Sequence, residues 1–306
     1  MTATPARGVI HDLGYRPFTG RRRTPAQTAV SLYGTALRHC FGLGRAGKSK
    51  VLPWLISALM LVPALVLAGI IIQLKKMSLQ NQADLFGPLS TYFGYPYWTQ
   101  LLLTIFVAGQ APVLFARDLR YRTIVLYYAR PLSRTTLVLV RLAALTTAVF
   151  AIIAVPLTIW YAVAISSDLP RGQHTKAYLA ALVGSLVLAL TLSALTGMVS
   201  TFTTRTGLSA TGVIIVLMIS SGVVTSIQGI AHDQGRDAVG HVAAAANPFS
   251  AVAGLVSGLF HQPLPSDEMT RPVGLGWNLF FVAVCLAWVV VPTLILLART
   301  RKAASL

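Results

Sequence analysis

Long apolar runs alternate with short polar and basic stretches along the chain. Six of these runs are long enough to cross a hydrocarbon core of about 30 Å, which takes roughly 20 helical residues. They do not alternate apolar with polar positions as membrane β-strands do, so helices must satisfy their backbone hydrogen bonds. The predicted spans are residues 51–74, 97–115, 137–165, 178–202, 208–230 and 277–298. The pattern therefore predicts an all-α polytopic membrane protein with six transmembrane helices.

The first 50 residues follow another pattern and form a predicted unit of their own, 1–50, ahead of a membrane domain at 51–306. From Ala26 onward, apolar side chains recur at the spacing of one helix face. This face comprises Val30, Tyr33, Leu37, Cys40 and Phe41. We interpret the segment as an amphipathic helix lying along the cytoplasmic membrane surface. A soluble helix packed on a partner protein is the alternative.

The segment between the fifth and sixth spans, residues 231–276, is too long for a simple turn. Its stretch 239–260 is nearly uncharged and is interrupted by Asn247 and Pro248. Each of the two resulting apolar pieces is too short to cross a membrane. We therefore predict a broken outer hairpin, re-entrant or interfacial, before the sixth span.

Composition supports a membrane protein, and the distribution of charge predicts how the chain is oriented in the membrane. Hydrophobic residues make up 55% of the chain and charged residues 11%, which is beyond what a soluble domain of 306 residues needs for its core. If both termini lie in the cytoplasm, 19 of the 25 Lys and Arg residues and two of the eight acids fall on that side. The whole net charge of +17 then lies on the inner face, as the positive-inside rule requires. We therefore predict a multi-pass protein of the cell (plasma) membrane with both termini cytoplasmic.

The positive charge does not indicate nucleic-acid binding, because it is divided among loops and tails that flank the spans. Anionic membrane lipids are the partners that this distribution favours. Ionisable side chains are nearly absent from the spans, which argues against a proton-coupled transporter. Arg141 lies near the cytoplasmic end of the third span, where its side chain is expected to snorkel towards the surface.

The string GLGRAGKS at residues 42–49 formally fits the phosphate-binding pattern G-x-x-x-x-G-K-[ST]. A working phosphate-binding loop joins a buried strand to a helix in an α/β domain, whereas here an amphipathic helix precedes the string and a membrane span follows it. The six histidines show no metal-ligand spacing, and no catalytic cluster is evident. We therefore expect no enzymatic activity, no metal and no cofactor in this chain.

The polar segment 117–142, between the second and third spans, is the most distinctive part of the sequence. It holds six arginines against one acid, Asp118, so it cannot lie in hydrocarbon and is predicted to be cytoplasmic. The acid is followed five residues later by a Thr and then by Pro-Leu-Ser-Arg ahead of the next span. The residues of this pattern are Asp118, Thr123, Pro131, Leu132, Ser133 and Arg134. The pattern resembles the intracellular loop of the type-2 ATP-binding-cassette (ABC) export permeases.

Three positions depart from the loop of that family. Arg122 stands where the family usually has Gly, and Leu137 stands near the usual aromatic residue. Arg141 replaces the usual Lys. Outside the loop, the predicted amphipathic helix, the six spans and the broken outer hairpin also resemble the family, so the likeness extends over nearly the whole chain.

The loop has a physical interpretation that does not depend on the family. If residues 117–128 form a short helix, Asp118 and Arg122 are i,i+4 neighbours that pair, and Tyr127 offers an apolar anchor to a docked subunit. Pro131 ends this helix, and Arg134 caps the approach to the third span. A passive surface loop with lipid-facing arginines is the alternative. The candidate coupling residues are Asp118, Arg120, Arg122, Thr123, Tyr127, Pro131, Ser133 and Arg134.

The resemblance implies the transmembrane subunit of an ATP-driven exporter. A complete transporter would contain a second permease copy, identical or paralogous, and two separate ABC ATPase subunits that bind ATP and Mg²⁺. The substrate would be amphipathic or hydrophobic and would leave the cytoplasm by alternating access. The alternative is a non-transporting polytopic membrane protein that anchors or regulates a cytoplasmic partner.

Overall fold

The computed structural model describes residues 20, 23–77, 91–121, 133–167, 170–203 and 205–303. Within these ranges the chain is helical, and no strand occurs in them. Six of the helices are long and apolar enough to cross a membrane. The predicted all-α polytopic membrane fold is confirmed.

The helices alternate in direction along the bundle, as the predicted spans require. In chain order they are α1 (Pro25–Cys40), α2 (Lys48–Lys76), α3 (Gly94–Trp98), α4 (Gln100–Arg120), α5 (Arg134–Ser166), α6 (Arg171–Val199), α7 (Thr206–Asp233), α8 (Asp237–Ala244), α9 (Pro248–Phe260) and α10 (Leu275–Ala303). The six long helices α2, α4, α5, α6, α7 and α10 coincide with the six predicted spans. The start of the second span differs, because Tyr97 belongs to the short helix α3 and α4 begins only at Gln100.

Three of the long helices lie inside the bundle and three lie at its edge. In the most apolar window of α6, α4 and α5, 67%, 61% and 56% of the residues are buried, against 22% in each of α2, α7 and α10. Helix α6 is central and packs against α5, α10, α9 and α4. Two of its buried hydroxyl groups bond carbonyls of the same helix: Thr191 Oγ1 donates to Leu188 O at 2.9 Å and Thr196 Oγ1 donates to Leu192 O at 2.6 Å. Small polar residues in α6 therefore permit close helix packing.

Helix α1 forms where the amphipathic pattern predicted it and packs on α5 and α4. Tyr33 donates a hydrogen bond to Thr147 Oγ1 on α5 at 2.8 Å. The Phe41 ring lies 6.2 Å from that of Phe106 on α4, and Leu37 packs against the same core. Val30, in contrast, is 70% exposed and takes no part in this contact. The bundle therefore uses only part of the predicted apolar face.

Glycine ends α1 at a sharp corner. Leu43 N–H donates to Arg38 O at 2.9 Å and Gly42 N–H donates to His39 O at 3.1 Å, which together form a Schellman motif. Gly42 takes the left-handed conformation that this motif requires, with φ of +70°. The corner brings the first turn of α2 so close that a Cβ on Gly42 would lie 2.5 Å from Ser49 O. Both the positive φ and the lack of space for a Cβ therefore favour glycine at position 42.

Replacing Gly42 by alanine is expected to destabilise the protein by about 2–3 kcal/mol, since the left-handed conformation and the backbone clash both add cost. The matched control is Gly44→Ala, because Gly44 also has a positive φ, +78°, but faces open space. That control is expected to cost about 1 kcal/mol, from conformation alone. Thermal melting of the purified protein in detergent measures the difference, and equal melting temperatures for the two variants would show that the corner tolerates a methyl group.

The broken hairpin before the last long helix is confirmed as α8 and α9. Asn247 separates them and caps α9, with its Oδ1 accepting from Phe249 N–H at 2.7 Å. The break is held from two sides, because Asn247 Nδ2 donates to Ser220 Oγ on α7 and Trp288 Nε1 on α10 donates to Ala245 O at 2.9 Å. Helix α9 is buried along nearly its whole length against α6 and α10. It is thus part of the core.

A candidate coupling site at the arginine-rich end

Alternation of the helices gathers most of the basic residues at one end of the bundle, called here the arginine-rich end. Its described cations include Arg38, Arg45, Lys48, Lys50, Arg117, Arg120, Arg134, Arg141, Arg205, Arg299 and Arg301. Asp118 is the one acid within the described part of this end. The opposite end carries α3, α8 and α9, and there Lys75 donates to Ser166 O at 3.0 Å. The fold therefore reproduces the charge separation expected from the sequence.

A largely buried ion pair joins the two helices that flank the predicted coupling loop. The guanidinium group of Arg141 on α5 binds the carboxylate of Asp118 on α4 through Nη2. Its Nη1 donates to Leu114 O at 2.8 Å, one turn earlier on α4. The Arg141 side chain is 9% exposed and that of Asp118 is 18% exposed. The fork of donors on one arginine thus holds two acceptors of one helix.

This pairing differs from one expectation. Arg141 was predicted to snorkel to the surface, and this is wrong, because the residue is 7% exposed and lies between the helices. The predicted pairing of Asp118 with Arg122, four residues away, stays a prediction, because Arg122 lies outside the described residues. The bond of Asp118 to Arg141 on α5 was not expected. A negative charge near the C-terminus of α4 opposes the helix dipole, so the cation on α5 also offsets that repulsion.

The start of α5 is fixed by Ser133, one of the predicted coupling residues. Its Oγ accepts from Thr136 N–H at 3.1 Å and thereby caps the helix. Arg134 follows as the first helical residue and contacts Arg301 O on α10 at 3.5 Å. Ser133, and not Arg134 as expected, is therefore the cap. Arg134 instead links the beginning of α5 to the end of the chain.

The end of α4 presents an exposed basic and aromatic surface. Arg120 is exposed, and its guanidinium carbon lies 5.4 Å from the ring centre of Tyr121. Tyr121 is 61% exposed and did not stand out in the sequence pattern. An aromatic residue directly beside a basic one at the end of a span is the signal that could have identified it. Of the other predicted coupling residues, Thr123, Tyr127 and Pro131 lie outside the described residues.

A second group of cations surrounds His39 near the end of α1. Burial lowers the pKa of His39, and the nearby cations Arg45, Arg117 and Arg141 lower it further, while Asp118 opposes them. Arg45 comes from the corner after α1 and contacts His39 O at 3.5 Å. The end of α1, the corner and the end of α4 therefore share one positive environment.

The lowered pKa of His39 predicts a pH dependence of stability. Unfolded histidine takes up a proton near its usual pKa of 6.5, whereas folded His39 resists protonation until a lower pH. The unfolded state therefore binds more protons in this window, so stability is expected to fall as the pH drops through 6.5. Melting temperatures of the wild type and of His39→Gln, measured from about pH 8 to pH 5.5, test this. The variant should lose less stability on acidification, and parallel curves would contradict the prediction.

Comparison with known proteins adds no assignment to these features. No protein-family model matches the chain, and no curated protein matches it either. In the described residues there is also no group of three or more His, Cys, Asp or Glu side chains that could hold a metal ion. The functional interpretation rests on the arginine-rich end and on the loop pattern that it contains.

Proposed function

We propose that this chain is the transmembrane permease subunit of an ABC exporter. It moves an amphipathic or hydrophobic substrate out of the cytoplasm, driven by separate ATPase subunits that bind the arginine-rich end. The observation that carries the proposal is the Asp118–Arg141 pair, which joins the two helices on either side of the loop that resembles the type-2 ABC coupling loop. The positive-inside rule puts this end in the cytoplasm, where an ATPase would be available.

The position of the loop suits it to transmit force. Helices α4 and α5 are two of the three inner helices, so a displacement of their ends acts on the centre of the bundle. Because Arg141 holds the last turns of α4, the two helix ends are expected to move as one rigid body when an ATPase subunit pushes on the loop. Arg120, Tyr121 and Arg134 would supply the contact surface on either side of the loop.

The edge helices offer exposed apolar faces to which a second copy of the permease could bind. Helices α2, α7 and α10 are apolar but only sparsely buried within the chain, so they leave long apolar faces for lipid or for another bundle. A translocation path would form between two such bundles, identical or paralogous, and open alternately to each side. ATP and Mg²⁺ belong to the ATPase subunits, and this chain contributes no catalytic group to hydrolysis.

Co-purification with charge-reversal variants tests the proposal. The detergent-solubilised chain is isolated by affinity from its native host, and ATP hydrolysis by the co-purified proteins is measured. Arg120→Glu and Arg134→Glu alter exposed positions at the arginine-rich end without breaking the buried ion pair. Arg271→Glu is the matched control, because Arg271 is exposed at the opposite end.

Recovery of an ATP-hydrolysing subunit with the wild type and with Arg271→Glu, but not with the other two variants, supports the permease assignment. Recovery of intact protein without any ATPase would overturn it and would favour a protein that anchors or regulates another cytoplasmic partner. Equal recovery of the ATPase with all variants would place its contact elsewhere and remove the coupling role of this end.

A further inference from the structure

Cations converge where the end of α1, the corner after it and the end of α4 meet. His39 lies in the last turn of α1, Arg45 belongs to the corner, and Arg117 lies in the last turn of α4. The charge of Arg117 acts on both His39 and Arg45. Arg45 is half-buried and contacts the carbonyl oxygen of His39 at 3.5 Å, which is a long and weak hydrogen bond. The three side chains come from separate elements that the fold brings to one place.

Within the described residues, Arg45 and Arg117 are not balanced by acids. Asp118 is the acid nearest to them, and its carboxylate is bound by Arg141. No ion pair between an acid and Arg45 or Arg117 occurs within the described ranges. Burial lowers the pKa of Arg45, and repulsion from Arg117 lowers it further. Like charges close to each other, with Arg45 half-buried and Arg117 exposed, cost free energy, which a bound anion would offset.

The surroundings indicate where such an anion would come from. Trp54, in the second turn of α2, is 55% exposed, and its ring lies 6.3 Å from that of Phe41 at the end of α1. Val51 and Leu43 beside it are 62% and 39% exposed. Tryptophan prefers the boundary between hydrocarbon and lipid headgroups. The basic residues therefore lie at the depth of the headgroups, with an apolar surface of α2 next to them for acyl chains.

We propose that His39, Arg45 and Arg117 form a binding site for the phosphate group of an anionic phospholipid. The guanidinium groups of Arg45 and Arg117 hold the phosphate oxygens by charge-assisted hydrogen bonds. The acyl chains extend along the exposed side of α2 past Trp54. The lipid fastens α1 to the ends of α2 and α4, and this role is independent of whether the chain transports a substrate.

Tryptophan quenching in vesicles measures this binding. The purified chain is placed in phosphatidylcholine vesicles that contain a small fraction of brominated lipid, either phosphatidylglycerol or phosphatidylcholine. The contribution of Trp54 is the difference between the protein and its Trp54→Phe variant. Brominated phosphatidylglycerol is expected to quench Trp54 more than brominated phosphatidylcholine at the same fraction. Each guanidinium should contribute about a fivefold preference for the anionic lipid.

Two double variants distinguish a defined site from diffuse attraction. Arg45→Gln with Arg117→Gln removes two charges from the site and is expected to abolish most of the preference. Lys48→Gln with Lys50→Gln removes two charges from exposed positions at the start of α2 and should retain most of it. If the first variant does not elute as a folded protein, Arg45→Lys with Arg117→Lys replaces it. That variant keeps the charge but loses the guanidinium fork, so a partial loss of preference is expected.

Three results would overturn the proposal. Equal quenching by the two brominated lipids would show that the headgroup is not recognised. Equal losses in the Arg45/Arg117 and Lys48/Lys50 double variants would show that only diffuse charge attracts the lipid. Loss of the preference on adding inorganic phosphate, at an ionic strength matched with chloride, would make soluble phosphate the ligand instead of a lipid.

Discussion

Replacing Arg141 by methionine is expected to destabilise the protein by about 3–5 kcal/mol, which is the range for breaking a buried ion pair from one side. Methionine fills most of the volume but leaves the carboxylate of Asp118, 18% exposed, without its partner on α5. It also removes the hydrogen bond to Leu114 O. Helices α4 and α5 would then separate at the arginine-rich end. Thermal melting in detergent, followed by size-exclusion chromatography, measures the loss.

A double-mutant cycle separates the pair from other effects of the substitution. Asp118→Asn alone leaves the Arg141 guanidinium buried without a carboxylate and is also expected to be strongly destabilising. The double variant Asp118→Asn/Arg141→Met removes both charges, so it should lose less than the sum of the two single losses, by about 1–3 kcal/mol. Arg120→Met, at an exposed position on the same helix, serves as the control and should change stability by less than about 0.5 kcal/mol. Additive losses would mean that the two side chains do not interact energetically.

Replacing Gly254 on α9 by leucine is expected to prevent correct folding, and Gly254→Ala to cost about 1–3 kcal/mol. A Cβ at this position would lie 2.5 Å from Cζ of Phe281 on α10 and 2.8 Å from its Cδ1. The Phe281 ring is 1% exposed and is flanked by Phe280 and His241, with ring centres 5.4 and 6.0 Å away. Burial and these neighbouring rings restrict how far the Phe281 ring can move. The close approach of α9 to α10 depends on the absence of a side chain at residue 254.

Gly222→Ala is the matched control, because Gly222 lies within α7, is exposed and has no atom within 4 Å of the added Cβ. Alanine there should be neutral or stabilise the helix by up to about 1 kcal/mol. A smaller side chain at position 281 should relieve the clash with a side chain at residue 254. Phe281→Leu combined with Gly254→Ala should therefore recover part of the stability that Gly254→Ala loses. The yield of monodisperse protein and its melting temperature are measured for each variant. Equal behaviour of Gly254→Ala and Gly222→Ala would show that α9 does not depend on this contact.

The bond between Asp118 and Arg141 at the arginine-rich end could not be predicted from spacing along the chain. Sequence reasoning pairs Asp118 with Arg122, because i,i+4 neighbours on one helix are the only contacts that sequence separation specifies. The partner on α5, Arg141, is 23 residues away and is brought into contact by the packing of α4 on α5. The loop pattern in the sequence included both Asp118 and Arg141. It did not indicate that they bind each other.

The helices themselves could be predicted, because the constraint that creates them is local. A long apolar run in a membrane has no water for its backbone, so it must form a helix whatever its neighbours are. The same local chemistry predicted the break between α8 and α9 at Asn247 and Pro248. Charge separation between the two ends follows once the helices alternate in direction.

The arrangement of those helices was decided only by the tertiary structure. Helix α7, with mean hydropathy 2.1, has 22% of its most apolar window buried, whereas α6, with mean hydropathy 2.2, has 67% buried. Hydropathy does not separate the two, because lipid tails are as apolar as a protein core and an apolar side chain suits either. What distinguishes an inner helix is close packing and polar pairing, such as Gly184 of α6 against Phe93 and Arg141 of α5 against Asp118 of α4. The sequence alone determined which segments become helices and where charge accumulates, and long-range packing determined which of them meet.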